Sequence, residues 1–260
     1  MTQLALQFLL GFLATASLLG GNIAYAATFT GLSQARSVAI AGQITLTEFE
    51  FGEAFTASQS LHEQTAADDF GVFNQSVGLG TLVLDHPLGS GRGAGRSAQT
   101  SNLGPEAIVF DGTADVFMSG EVFGDADITG SGGASSRLAY SFSLSQTTTV
   151  RLGMVSELGP RNNDYRFALT REHGEVVWDQ TSIFDEDGNE HRDFTQSLIL
   201  GPGVYTLDVG LTASSSFTAN FGVSGRALAS FSITPVPLGD SMLLLASGVS
   251  LLVGGRRRLT

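Results

Sequence analysis

No cysteine and no lysine occur among the 260 residues. The first absence removes disulfides, thiolate metal sites and cysteine nucleophiles, so any fold must be held by its core alone. The second removes P-loops, Schiff-base chemistry and Ser-Lys dyads together. Positive charge is scarce in general. Three of the thirteen arginines sit in the last residues and one of the twenty-five acids is Asp240, so the span 27–237 carries ten arginines against twenty-four acids, a formal charge of −14. Such a surface repels phosphate backbones and anionic lipid headgroups, which argues against nucleic-acid binding. The acids are spread along the chain rather than blocked, as on a solvated extracellular exterior.

Familiar catalytic spacings are missing too. The four histidines, His62, His86, His173 and His191, never form a close ligand pair such as His-Glu-x-x-His, and each has polar or turn neighbours that suit a surface position. Gly222-Val223-Ser224-Gly225 lacks the spacing of a nucleophile elbow. Gly91-x-Gly93-x-Gly95 does not follow the dinucleotide fingerprint, and no βαβ pattern surrounds it.

Both ends of the chain carry targeting signals. Leu4 to Leu19 is apolar and leads through Gly20-Gly21-Asn22 to Ala24-Tyr25-Ala26, an A-x-A site at which signal peptidase would cut before Ala27. No Lys or Arg precedes the apolar run. At the other end, Pro235-Val236-Pro237-Leu238-Gly239-Asp240 is followed by an apolar segment and then by Gly254-Gly255-Arg256-Arg257-Arg258. Met242 to Val253, twelve residues without a charge, is shorter than the roughly 20 that cross a bilayer unaided. It spans only with thinning, snorkelling or a partner. Three arginines behind it resist transfer through hydrocarbon, which keeps them on the cytoplasmic side and the body outside.

Motif, helix and arginine cluster in that order resemble the C-terminal sorting signals of the PEP-CTERM class, exported bacterial proteins processed by exosortases. Val236-Pro237-Leu238 matches the Val-Pro-Leu-Pro variant, and Gly239 stands where that variant has its second proline. The resemblance implies a membrane-embedded, exosortase-like protease that cuts near Val236-Pro237 and delivers the body to the cell surface or to an exopolysaccharide matrix.

Between the signals, period-two alternation predicts strands. Leu138, Tyr140, Phe142 and Leu144 alternate with small residues, followed by Val150, Leu152 and Met154, then Tyr165, Phe167 and Leu169, then Val176-Val177-Trp178. Phe194, Leu198 and Leu200, then Tyr205 to Leu211, Phe217 to Val223 and Ala227 to Ile233 continue the series. In the first half, Val38, Ile40, Ile44 and Leu46 alternate, while 70–84 and 108–123 look like hairpins broken by Gly80, Asp111-Gly112 and Gly120. Short strands at regular spacing predict an all-β fold, an antiparallel β-sandwich or jelly roll, flanked by an N-terminal signal helix and a C-terminal transmembrane-type helix. The expected organisation is a signal peptide at 1–26, an N-terminal β region at 27–129, a jelly-roll-like region at 137–234 and a sorting tail at 235–260. The two β regions form one sandwich or two units. Gly89 to Arg96 and Gly130 to Ser136 read as loops, the second a linker or a long hairpin connection.

From 137 to 234 the pattern resembles the pre-peptidase C-terminal modules of bacterial secreted proteins. Asp164 to Leu169, Gly174-Glu175-Val176-Val177 and Leu200-Gly201-Pro202-Gly203-Val204-Tyr205 carry that likeness. It implies a small jelly roll, usually without catalysis.

Asp185, Asp187 and Asn189, beside Gly188, put oxygen ligands at alternating positions, as Ca²⁺ requires. The twelve-residue loop pattern fails, however, because Ile183 would occupy its first position and Phe194 its last. An exposed acidic turn with at best weak Ca²⁺ affinity is the favoured reading, and no other cofactor is expected. Asp125 and Asp127, near Gly124 and Gly130, form a weaker candidate. The expected function is a non-enzymatic protein of the cell surface or extracellular matrix. A glycan-binding module is the first alternative, with Trp178, Tyr165 and Tyr205 as stacking platforms, although period two favours a core position for both tyrosines. A secreted hydrolase using a carboxylate pair is the second.

Overall fold

The chain is described by a computed structural model covering residues 28–50, 52–65, 70–159, 163–181, 190–219 and 222–236. Alternating burial along each segment produces strands β1 (Thr30–Glu48), β2 (Ala54–Thr65), β3 (Phe73–His86), β4 (Gly89–Leu103), β5 (Ile108–Val122) and β6 (Ala126–Leu144). They are followed by β7 (Thr148–Leu158), β8 (Asn163–Arg171), β9 (Val176–Thr181), β10 (Glu190–Leu200), β11 (Gly203–Thr218) and β12 (Gly222–Pro235). Every pairing is antiparallel. Sheet A has the order β2-β1-β6-β11-β8-β9, and sheet B the order β10-β7-β12-β5-β4-β3. The all-β, two-sheet expectation therefore holds, while the flanking signal and tail helices lie outside the described residues.

Strands from the two halves of the chain interleave. β1 pairs with β6, which pairs with β11, and β5 pairs with β12. Inward side chains of both sheets form a single apolar cluster, from Val38, Ile40, Ile44 and Leu46 through Phe110 and Ile128 to Leu207, Phe231 and Ile233. Each side chain of this size is worth about 1.5–3 kcal/mol when fully buried. Aromatic rings concentrate in two groups. Tyr140, Phe142 and Tyr205 stack with centroids 5.6–5.7 Å apart and Phe29 meets Phe142 edge-on at 5.0 Å, while neighbouring rings of Tyr165, Phe167, Phe231 and Trp178 lie 5.1–5.8 Å apart.

Both glycine-rich stretches read as loops turn out to be strand. Gly89 to Arg96 opens β4, and Gly130 to Ser136 lies inside β6, paired on both sides with β1 and β11. The reason is packing. A Cβ at Gly91 would lie 2.6 Å from Ile44 Cγ2, at Gly93 2.7 Å from Met118 Sδ, and at Gly95 2.8 Å from Ile40 Cδ1. On β6, a Cβ at Gly132 would lie 2.7 Å from Val116 Cγ2, and one at Gly130 would run into the Phe217 ring. The glycines are the inner face of these strands, bare so that large side chains opposite reach the backbone. Gly112 and Gly120 likewise sit within an unbroken β5 rather than in a hairpin turn. The converse occurs at Phe217 to Val223, read as one strand. β11 stops at Thr218, Ala219 takes φ 44°, and β12 begins at Gly222.

Two side-chain hydrogen bonds shape the connection between β10 and β11. The Tyr205 hydroxyl donates to the Gly201 carbonyl at 2.8 Å, and Arg171 Nη2 donates to the Pro202 carbonyl at 2.8 Å. Together they close the β10–β11 connection, which Gly203 enters at φ 148°.

Candidate functional site

Of the residues singled out in the sequence, Ala24, Ala26 and Ala27, Pro237 and Leu238, Arg256, Arg257 and Arg258, and Asp185, Asp187 and Asn189 all lie outside the described residues. Val236 lies inside them, half-buried, with its N–H donating to the Thr149 carbonyl at 2.8 Å. Asp125 and Asp127 are exposed at the β5–β6 turn. Among the described residues no group of three or more His, Asp or Glu is arranged to hold a metal ion, and no helix is long and apolar enough to cross a membrane. His173 is exposed in the β8–β9 turn, as a surface histidine should be.

The stacking platforms fail on burial. Tyr165 is 1 % exposed, Tyr205 2 % and Trp178 7 %, so none offers a ring face to a sugar. The two tyrosines are core, as their period favours, and Trp178 joins them because its ring stacks on Phe231.

A depression with a volume of about 640 Å³ lies instead on the outer face of sheet A. Strand register explains its shape. Gly210 on β11 stands directly between Arg137 on β6 and Arg166 on β8. Neighbouring strands run about 4.8 Å apart, so the two arginines flank the glycine with Cα atoms about 10 Å apart. Nothing lies within 4 Å of a Cβ built on Gly210. Ala35 and Ala139 continue the low floor, while Ser37, Thr212 and Asp208 edge it. Among the described residues, Arg137, Arg166 and Asp208 have neither an ion pair nor a side-chain hydrogen bond.

The same face also presents Asp164 and Asp208 to solvent. Asp164, opposite Thr212, is four residues along and one strand across from Asp208. That places their Cα atoms about 14 Å apart.

Beneath the same strands lies a buried polar network that the sequence did not signal. Arg36 is fully buried. Its Nε donates to Gln34 Oε1 at 3.0 Å and its Nη1 to the Gly71 carbonyl at 2.7 Å, and the guanidinium carbon sits 5.3 Å from the Phe73 ring centre. Ser101 Oγ, on β4 in the opposite sheet, lies 3.5 Å from Arg36 Nη1. Gln99 is oriented with its nitrogen toward the carbonyls of Arg137 (2.9 Å) and Ser37 (3.2 Å) and its oxygen accepting from Ser101 Oγ at 3.1 Å. Ser97 Oγ donates to the Ser135 carbonyl at 2.6 Å. The inner face of β4 thus bonds to the backbone of β1 and β6 across the sandwich, directly under Arg137.

A smaller depression of about 450 Å³ on the outer face of sheet B is floored by Ala98, Thr113 and Leu228. At its margin Arg226 Nε lies 3.6 Å from Asp115 Oδ1. Burial pushes the Asp115 carboxyl above its ordinary value, an effect that Arg226 and Arg96 only partly offset.

No protein-family model matches the chain, and no curated protein does either. Solved structures with distant similarity include infectious bursal disease virus, Gx strain (11 % identity, TM-score 0.23, covering 80 % of this chain and 56 % of that one). The VP2 subviral particle of the same virus (9 % identity, TM-score 0.23, 80 % and 57 %) and its T=1 particles (11 % identity, TM-score 0.26, 80 % and 55 %) are similar at the same level. The chain spans little more than half the length of these viral chains.

Proposed function

We propose that this chain is an exported, non-enzymatic protein of the bacterial cell surface or extracellular matrix, delivered by a PEP-CTERM-like tail and built on a jelly-roll-type sandwich. The observation that carries the reading is the order of motif, apolar segment and arginine cluster behind a β domain that itself follows an A-x-A export site. Two features of the fold support it. The sandwich begins at Phe29, buried against Phe142 with its N–H on the Pro105 carbonyl at 2.9 Å, just after the expected cut before Ala27. It ends at Pro235 and Val236, where the sorting motif starts. Both cuts would therefore fall outside the hydrogen-bonded ladder and leave the core intact. Phe29 and Ile233 also lie at the same end of the sandwich, beside the β4–β5 connection, since Phe29 bonds Pro105 while Ile233 pairs with Ile108.

Signal peptidase, an exosortase-like protease, the membrane and an exopolysaccharide are the partners this reading implies. Converting Arg256, Arg257 and Arg258 to Ser removes the barrier to full translocation. The body is then expected in the medium or misplaced when cells are fractionated, and unchanged membrane retention and processing would reject the role of the tail.

A further inference from the structure

We propose that the depression over Gly210 binds a carboxylate-bearing saccharide, its carboxylate held between Arg137 and Arg166. The inference does not rest on the sorting tail, since it uses the outer face of sheet A alone.

Three observations specify the ligand. The first is the arginine pair. Two guanidiniums rise on either side of a residue with no side chain, and neither has an ion pair or hydrogen bond within the described residues. A guanidinium presents a planar fork of donors that matches a carboxylate. A bare glycine lets that carboxylate settle between the two guanidiniums on the outer face, and the space above Gly210 is open. The second is Asp208, which lies opposite Ala139, one outward position along the strand from the arginine row. Its charge opposes a dianion more than a monoanion, which favours a carboxylate over phosphate, while its oxygens accept from hydroxyl groups. The third is the floor. Ala35 and Ala139, paired across β1 and β6, form a low, apolar step beside the arginine row suited to the C–H face of a sugar ring, and Ser37 and Thr212 place hydroxyls at the edge of the depression. The volume of about 640 Å³ falls within the range of small-molecule sites.

The position is also held firmly. Under Arg137, its own carbonyl and that of Ser37 accept from buried Gln99, so the two rows that present the site are tied to the opposite sheet.

Calorimetric titration of the full-length protein in detergent micelles, with trigalacturonate, neutral galactotriose and inorganic phosphate as probes, tests the assignment. Trigalacturonate should bind, with galactotriose and phosphate each at least about tenfold weaker. Arg137→Gln and Arg166→Gln should each weaken trigalacturonate about tenfold or more, as expected for loss of a charge-assisted hydrogen bond. Gly210→Leu should abolish binding by filling the cleft, with a melting temperature equal to or above that of the parent because no neighbour obstructs the new side chain. Failure of trigalacturonate to bind would overturn the proposal. So would affinity unchanged in both arginine variants, which have exposed side chains and keep the test valid whatever Gly210→Leu does to folding. Phosphate binding as tightly as trigalacturonate would leave a bare anion site and reject the saccharide.

Discussion

Asp115 lies on the outer face of sheet B between Arg226 and Arg96, yet its carboxyl titrates above the ordinary range because burial outweighs both cations. A group whose folded pKa is raised contributes stability below its unfolded pKa and loses it as pH rises through the folded value. Asp115 therefore works against the fold at neutral pH. Asp115→Asn should leave stability at pH 7 unchanged or raise it by up to about 0.5 kcal/mol, the small size following from solvent exposure of the Arg226 pair. Urea denaturation at pH 7 and at pH 4 checks the sign, with the variant's advantage shrinking at the lower pH. The inward glycines make a second residue-scale prediction. Gly91→Ala drives a methyl into Ile44 and Ile128 and should cost about 1–3 kcal/mol, as overpacking does. Gly78→Ala, whose Cβ would meet nothing nearer than the Gly95 carbonyl oxygen at 3.8 Å, should be neutral or stabilising by about 0.4–1 kcal/mol. Thermal melts of the two variants distinguish a packed inner face from generic loss of chain flexibility.

Among the elements, β4 carries the main lesson about reading this sequence. Strands such as β8 and β11 were legible because Tyr165, Phe167 and Leu169, or Tyr205, Leu207, Val209 and Leu211, put large apolar groups at every second position. β4 obeys the same period, but its inward positions are Gly89, Gly91, Gly93 and Gly95, then Ser97, Gln99 and Ser101. Its apolar complement comes from Ile44, Leu46 and Met118 on other strands, and no local pattern records that. The Phe217 to Val223 misreading is the reverse case, in which unbroken alternation hid a turn made by the positive φ of Ala219. Gln99 also tests what joins the sheets. Gln99→Ala leaves the Ser37 and Arg137 carbonyls and Ser101 Oγ without this partner, and should destabilise by about 1–3 kcal/mol, the cost of stranding buried polar groups. Chemical denaturation measures it, and a change below about 0.5 kcal/mol would mean that the network adds little to the joining of the sheets.

At the scale of the whole molecule, the sites divide by how they can be found. The export and sorting signals proposed for the chain are contiguous runs of sequence, so residue order alone suggests them. It does not suggest the cleft over Gly210, because Arg137 and Arg166 become neighbours only through the register of β6, β11 and β8, and neither residue belongs to a motif. Aromatic residues misled in the opposite direction. Trp178 suggested a sugar platform by type alone, whereas the Phe231 and Phe194 rings beside it show a core side chain. The tail proposal uses residues 235–260 and the cleft proposal uses β6, β8 and β11, so the two are tested by different variants. Intact-mass measurement of the protein recovered from the surface or matrix decides whether the proposed delivery takes place. The expected product is a polypeptide that starts at Ala27 and ends near Val236, without the apolar segment or the arginines. A recovered chain that still carries Arg256, Arg257 and Arg258 through Thr260, or that retains the residues before Ala27, would contradict it.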